Sequence, residues 1–158
     1  MNSKINFFLE FEAGELKILK KGLIRLWIEK VISNQEKKGG VLNFIFSNDD
    51  GLLKLNQKYL NHSKLTDILT FPAGEETEEI SGDIYISVER VKENAEKFKE
   101  TFKMELLRVM IHGVLHLLGL RDKTKAEKNE MRRKENEYIR IYLKIEERPN
   151  KTAPVAGL

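Results

Sequence analysis

The sequence contains no cysteine. That excludes disulfides and every thiolate metal site, so any metal must be held by nitrogen and oxygen donors. Histidine is scarce too, with three in the whole chain. No apolar run reaches membrane-spanning length. The first residues, Met1-Asn2-Ser3-Lys4-Ile5, carry no secretory hydrophobic segment, so a cytoplasmic protein with no membrane partner is expected. Charge of one sign is not in large excess either. Lys plus Arg number 28 against 25 for Asp plus Glu, a net charge of +3, which permits RNA binding without arguing for it. There is no internal repeat or low-complexity segment. With 158 residues, 41% hydrophobic and 34% charged, the chain reads as one soluble domain with a substantial core. That domain is expected over residues 1–146. The tail 147–158 lacks any periodic pattern and is expected to be disordered.

What is present alternates between strand and helix patterns. Ile5–Leu9 reads as a first strand. Glu15 to about Gln35 follows helical periodicity through Leu16, Leu19, Leu23, Trp27 and Val31. Gly39-Gly40 is expected to break the chain before a strand at Val41–Phe46. Ser47 or Asn48 can cap a short helix carrying Leu52, Leu55 and Tyr59. Thr66–Phe71 is a strand stopped by Pro72, residues 73–80 an acidic loop, and Gly82–Ser87 a strand alternating Asp83 and Tyr85 against Ile84 and Ile86. Val88, Val91, Ala95 and Phe98 mark the next helix. Another begins near Thr101, and the last opens at a Thr124–Glu127 capping box, with Met131, Tyr138, Tyr142 and Ile145 as its apolar stripe. Interleaved elements and a hairpin-like spacing from Phe71 to Gly82 predict an α+β fold. It would have a single mixed sheet of about four strands packed with about five helices.

Two of the three histidines fall in His112-Gly113-Val114-Leu115-His116. Four apart on a helix, they share one face and can reach one ion. Gly119 can end the helix through a left-handed cap, and Asp122 can swing back as a third ligand, placing the metal site on a central buried helix. Three protein ligands with an open fourth position describe a catalytic zinc site, where a metal-bound water reaches a pKa of about 7. Structural histidines and a turn-forming Asp122 are the alternative reading. Against it, the helix is apolar on nearly every side, and two buried imidazoles need partners. Metalloproteases place a glutamate base in H-E-x-x-H, but here that position is Gly113, which cannot transfer a proton. Gly113 can instead let a chain segment or substrate approach.

These residues carry a family resemblance. His112-Gly-Val-Leu-His-Leu-Leu-Gly119 with Asp122 resembles the H-G-x-L-H-L-x-G-x-D-H signature of the YbeY family of bacterial metal-dependent endoribonucleases. Leu55-Asn56 with Tyr59, and Thr66-Asp67-Ile68-Leu69-Thr70-Phe71-Pro72, are similar to its L-N-x-x-Y-R and P-T-D-V-L-S-F-P stretches. Gly82-Asp83-Ile84 resembles its G-D-I strand, and Met131 and Glu135 match its final helix. The resemblance covers roughly residues 40–140. It implies a single-strand-specific endoribonuclease acting in 16S rRNA 3′-end maturation and ribosome quality control. Ribosomal RNA and the small ribosomal subunit are the implied partners, DNA is not, and one Zn2+ is held per chain by His112, His116 and Asp122. Two positions depart from the pattern. Asp122 stands where the family has its third histidine, with Arg121 in place of the usual Asp, and Leu60 stands where the family has an arginine. A carboxylate can replace imidazole on zinc at a similar bond length of about 2.0–2.2 Å. It lowers the site's charge from +2 to +1 and favours harder ions. His62 or Lys58 lies near enough in sequence to stand in for the arginine.

The catalytic base is not identified by sequence. Asp67 and Asp83 are candidates, each at a strand start where a turn or capping role is an equal reading. For the RNA backbone, Arg108, Lys123, Lys125, Arg132 and Arg133 are candidates. Of these Lys123 has a positional reason to face the site, because it flanks Asp122. The alternative from a different class is a non-catalytic RNA- or ribosome-binding protein with a structural zinc. Such a zinc needs a fourth protein ligand, for which His62 is the spare histidine.

Overall fold

The computed structural model describes residues 3–10, 14–60, 65–74 and 79–148. Of the tail expected to be disordered over 147–158, Glu147 instead ends the last helix, and residues 149–158, like His62, lie outside the described residues. Four strands form one mixed sheet in the order β1-β2-β4-β3. β1 (Lys4–Leu9) runs parallel to β2 (Lys38–Ser47), β2 parallel to β4 (Glu79–Ser87), and β3 (Ile68–Pro72) antiparallel to β4. Five helices accompany the sheet: α1 (Lys21–Asn34), α2 (Asp49–Leu60), α3 (Val88–Lys97), α4 (Phe102–Leu117) and α5 (Lys125–Glu147). The α+β class, the mixed sheet and the antiparallel hairpin are those expected from the sequence. None of the described helices is long and apolar enough to cross a membrane.

Strand alternation sorts the two faces of the sheet. Leu42, Phe44, Ile84 and Ile86 point into the core and are all but fully buried. On the other face Asn6 donates to Asn43, and Asn43 to Asp83, each at 2.9 Å, so a polar ladder crosses three strands. α4 lies against β3 and β4 on the core face, with Leu106, Leu107, Met110, Ile111, Val114 and Leu115 fully buried. α5 is fastened to α1 where Trp27 Nε1 donates to the Tyr138 carbonyl at 2.7 Å and the Trp27 ring meets Tyr142 edge-on at 5.1 Å. The stripe Met131, Tyr138, Tyr142 and Ile145 is buried as its spacing predicted.

Some boundaries differ from the sequence reading. The helix expected from Glu15 to Gln35 is two pieces, a short 3-10 turn at Gly14–Ile18 and then α1. Lys20 takes an extended conformation, and the Leu19 N–H closes on Leu16, three residues back. Apolar residues three apart suit a 3-10 turn as well as an α-helix. Gly39 and Gly40 do not break the chain but open β2, at a register irregularity before Leu42. A Cβ on Gly40 would meet the Ser81 hydroxyl, which accepts from the Val41 N–H at 2.9 Å. The acidic segment 73–80 yields Glu79 and Ile80 to β4. Phe98 does not bury on α3; it is the C-cap and 57% exposed.

Candidate metal centre

α4 is a buried helix with one polar stripe. Glu105, Arg108, His112 and His116 follow spacings of three and four, so they share a face. Thr101 caps the helix by accepting from the Met104 N–H at 3.1 Å. Gly113 sits on the flank of this stripe, about 100° round the helix from His112, against the sheet. A Cβ there would come 2.7 Å from Ile84 Cγ2 and 2.9 Å from Ile68 Cδ1. The close approach that this glycine permits is therefore to the sheet, and it sets how deep the histidines sit.

The C-terminal end of α4 builds the rest of the site. Gly119 has a φ of 102°, the left-handed conformation that glycine adopts without a steric penalty. The Leu120 N–H bonds the Leu115 carbonyl at 3.0 Å and the Gly119 N–H bonds His116 at 2.9 Å, a Schellman cap. This turn aims the Leu120 carbonyl at His116 Nδ1, 3.1 Å away. Four residues after Leu120 the Thr124–Glu127 capping box begins α5, and Glu127 also accepts from the Lys123 N–H at 3.0 Å. Asp122 is thus held between two caps.

The three side chains converge. His112 Nε2 lies 3.3 Å and His116 Nε2 3.4 Å from the same Asp122 oxygen, Oδ2. The three ligand atoms all lie within 4.8 Å of one another. A tetrahedral ion with bonds of about 2.0–2.1 Å separates its ligands by roughly 3.3 Å, so the spacing fits. The hydrogen bonds fit as well. A carbonyl only accepts, so His116 Nδ1 carries the proton. His112 Nδ1 lies 2.6 Å from the Glu135 carboxylate and donates to it. Both Nε2 lone pairs then face a carboxylate oxygen, an arrangement of three acceptors that a cation satisfies. The His112, His116 and Asp122 side chains remain 21%, 26% and 36% exposed, so a substrate can reach them.

Charge around the site separates the two rings. Burial works to lower the His112 pKa, yet the hydrogen bond and charge of Glu135, with Asp122 and Asp67, leave it raised above the ordinary value. Burial and the neighbouring His112 lower His116. Glu135 is itself 5% exposed and accepts from Arg108 Nη1 at 3.3 Å; Arg108 also donates to Asn136 at 2.9 Å. Beyond His112 a cavity of about 570 Å3 extends between α3, α4 and α5, lined among others by Asp67, Glu105, Arg108, Lys128 and Arg132. Burial pushes Asp67 up, and burial with the Asp67 charge pushes Glu105 up to about 7.

Not every residue singled out from the sequence reaches this place. Asp67 does, but Asp83 is on the far sheet face, bonded to Asn43. Its position in the strand alternation opposite Ile84 turns it away from α4, so its candidacy as a base is corrected. Arg108 lines the cavity with its guanidinium committed to Glu135 and Asn136, while Lys123 is exposed and outside the lining. Lys125 is exposed, and Arg133 pairs outward with Glu130 and Glu137. Lys58 lies with Tyr59 and Tyr85 on the other sheet face, so it does not replace an arginine here; Leu60 ends α2, 45% exposed. Sequence reasoning missed the roles of Glu135 and Glu105. The available signal was an acid on the buried stripe of α5 and another on a helix apolar all round.

An α+β sheet carrying a His-His-Asp trio at the end of a buried helix presents a group that could hold a metal ion, of the kind that three-ligand hydrolytic metalloenzymes use. The chain belongs to the Endoribonuclease YbeY family, whose model matches residues 9–142. The Endoribonuclease YbeY of Flavobacterium psychrophilum is 50% identical over 116 residues, 73% of this chain and 82% of that one. That of Amoebophilus asiaticus is 46% identical over 136 residues, 86% of this chain and 92% of the relative. The solution structure of TM1509 from Thermotoga maritima superposes with a TM-score of 0.63 at 29% identity, covering 98% of this chain and 99% of that one.

Proposed function

We propose that this protein is a metal-dependent endoribonuclease. It cleaves single-stranded RNA in the cytoplasm and acts on ribosomal RNA of the small subunit, in 16S rRNA 3′-end maturation and ribosome quality control. The observation that carries the metal-dependent chemistry is the convergence of His112 Nε2, His116 Nε2 and Asp122 Oδ2 at 3.3 and 3.4 Å with both Nδ1 atoms engaged elsewhere. Family membership supports RNA as the substrate. His112, His116 and Asp122 would hold one ion per chain, and nitrogen and oxygen donors at this spacing suit Zn2+. When bound, the ion supplies Lewis acidity toward a phosphoryl oxygen or a water.

The chain's own groups do the rest. Glu135 and the Leu120 carbonyl fix the imidazoles. Asp67, its pKa raised by burial, lines the same cavity as His112 and is the candidate general base. Lys128 and Arg132 line the cavity beside it and offer the phosphate backbone the positive charge that Leu60 does not. The scaffold reading, RNA binding around a structural zinc, needs four protein ligands. Among the described residues the group has three, which supports the enzyme. The test is elemental analysis of wild type and Asp122→Ala, with folding checked by circular dichroism, followed by cleavage of single-stranded and duplex RNA with and without chelator. About one zinc per chain, lost in the folded variant, with chelator-sensitive cleavage of the single strand, is the expected result. Full metal retention in Asp122→Ala sinks the three-ligand centre.

A further inference from the structure

The cavity beside the trio contains more than hydrolysis requires. Glu105 lies two helical turns before His112, roughly 10 Å along the axis, and is 6% exposed. No side-chain hydrogen bond to its carboxylate is formed among the described residues, and the charges of Arg108 and Arg132 act on it. Its oxygens face a cavity open to the metal centre and are not sealed in the core. Phe98, 57% exposed, lines the same cavity. Its backbone is pinned where Phe98 N–H bonds Asn94 and the Glu100 N–H bonds Ala95, each at 2.9 Å. The ammonium of Lys97 lies 5.7 Å from its ring centroid. Asn94 and Asn129 complete the wall with amide groups.

We propose that this cavity is a nucleobase subsite, in which the guanine next to the scissile phosphate stacks on Phe98 and is read by the Glu105 carboxylate. The inference rests on the endoribonuclease reading. Exposed aromatic rings are stacking platforms for the bases of single-stranded RNA. A carboxylate only accepts. Guanine alone presents two adjacent N–H donors, N1–H and the N2 amino group, side by side on its Watson–Crick edge, which meets one carboxylate through both oxygens. Uracil offers a single N–H flanked by carbonyls, which repel the acid. The amides of Asn94 and Asn129 can donate to O6 and N7. A cavity of about 570 Å3 lies within the range of small-ligand sites. The distance along α4 from His112 to Glu105 suits a base whose own phosphate sits at the trio.

Phe98→Trp turns the platform into a reporter, because the native Trp27 is fully buried and supplies a constant background. Metal-free Phe98→Trp is titrated with GMP and with UMP at pH 8, where Glu105 is ionised despite its burial. Saturable quenching by GMP, with at least tenfold tighter binding than UMP, is expected. Adding Glu105→Gln, checked for folding by circular dichroism, should bring the two nucleotides within about twofold while quenching persists. Phe98→Ala, measured by calorimetry, should weaken GMP about tenfold or more. Equal binding of GMP and UMP, or a preference unchanged by Glu105→Gln, overturns the subsite. Mapping cleavage sites on a mixed-sequence RNA separates the two levels. Metal-dependent cleavage with no guanine bias rejects the subsite and leaves the nuclease standing. Selective GMP binding without cleavage rejects the nuclease and leaves the subsite.

Discussion

Glu135 Oε2 lies 2.6 Å from His112 Nδ1, so a carboxylate on α5 decides which nitrogen of a ring on α4 faces the metal centre. The same carboxylate is held by Arg108, which makes the ligand orientation depend on a chain of three side chains. Outer partners of this kind commonly contribute 10–100-fold to metal affinity. Glu135→Ala should therefore weaken zinc about 10–100-fold in a competition titration against a chromogenic chelator. An unchanged affinity in a folded variant would assign Glu135 to packing alone.

Proton competition gives the centre a pH dependence. His112 is raised above its ordinary value of 6.5, so in the metal-free protein its Nε2 keeps a proton at higher pH than an unperturbed histidine. Zinc must displace that proton. Affinity should rise as pH climbs through the His112 pKa and level off above it. In Glu135→Ala the support for the charged ring is gone. The levelling should then begin at lower pH even though the plateau affinity is weaker. NMR titration of the His112 ring in both proteins reads the shift directly.

Glu105 bears on stability rather than on metal affinity. Its folded pKa, pushed up to about 7 from 4.5, means that the folded protein holds a proton that the unfolded chain releases. Stability from this group is present below about pH 4.5 and is lost as pH rises through about 7. At pH 8 the buried charge costs up to about 3 kcal/mol. Metal-free Glu105→Gln should then melt above wild type at pH 8, with the difference shrinking as the pH falls toward 4.5. Parallel melting curves at both pH values would contradict the assignment.

Gly113→Ala tests the depth of α4. The added methyl would press on Ile84 and Ile68 at 2.7 and 2.9 Å, and overpacking of this kind costs about 1–3 kcal/mol. A lower Tm is expected, with weaker zinc binding as the histidines move outward. A variant as stable as wild type would show that the isoleucines yield without cost.

Much of this was legible in the chain. The i, i+4 histidines, Gly119 and the Thr124–Glu127 box are local signals, and local hydrogen bonds realise them: the Schellman turn and the capping box form among residues 115–127. Alternation in 82–87 sorted Ile84 and Ile86 inward. What was not legible is long-range. Glu135 reaches His112 across 23 positions, and Asp67 and Asp83 look alike in sequence until the fold turns Asp67, just before β3, into the cavity and leaves Asp83 on the far face of the sheet. Gly39-Gly40 read as punctuation because only the folded sheet brings Ser81 against Gly40.

The bonds that hold residues 119–124 in place run through backbone groups, Thr124 and Glu127; the side chain of Asp122 turns instead to the two histidines. Asp122 is therefore mounted on a backbone frame that does not depend on its side chain. A carboxylate here, or an imidazole in the family signature, can be exchanged without rebuilding either helix. The charge balance of an ion held there would become an adjustable setting, changed by one substitution on a frame that stays fixed.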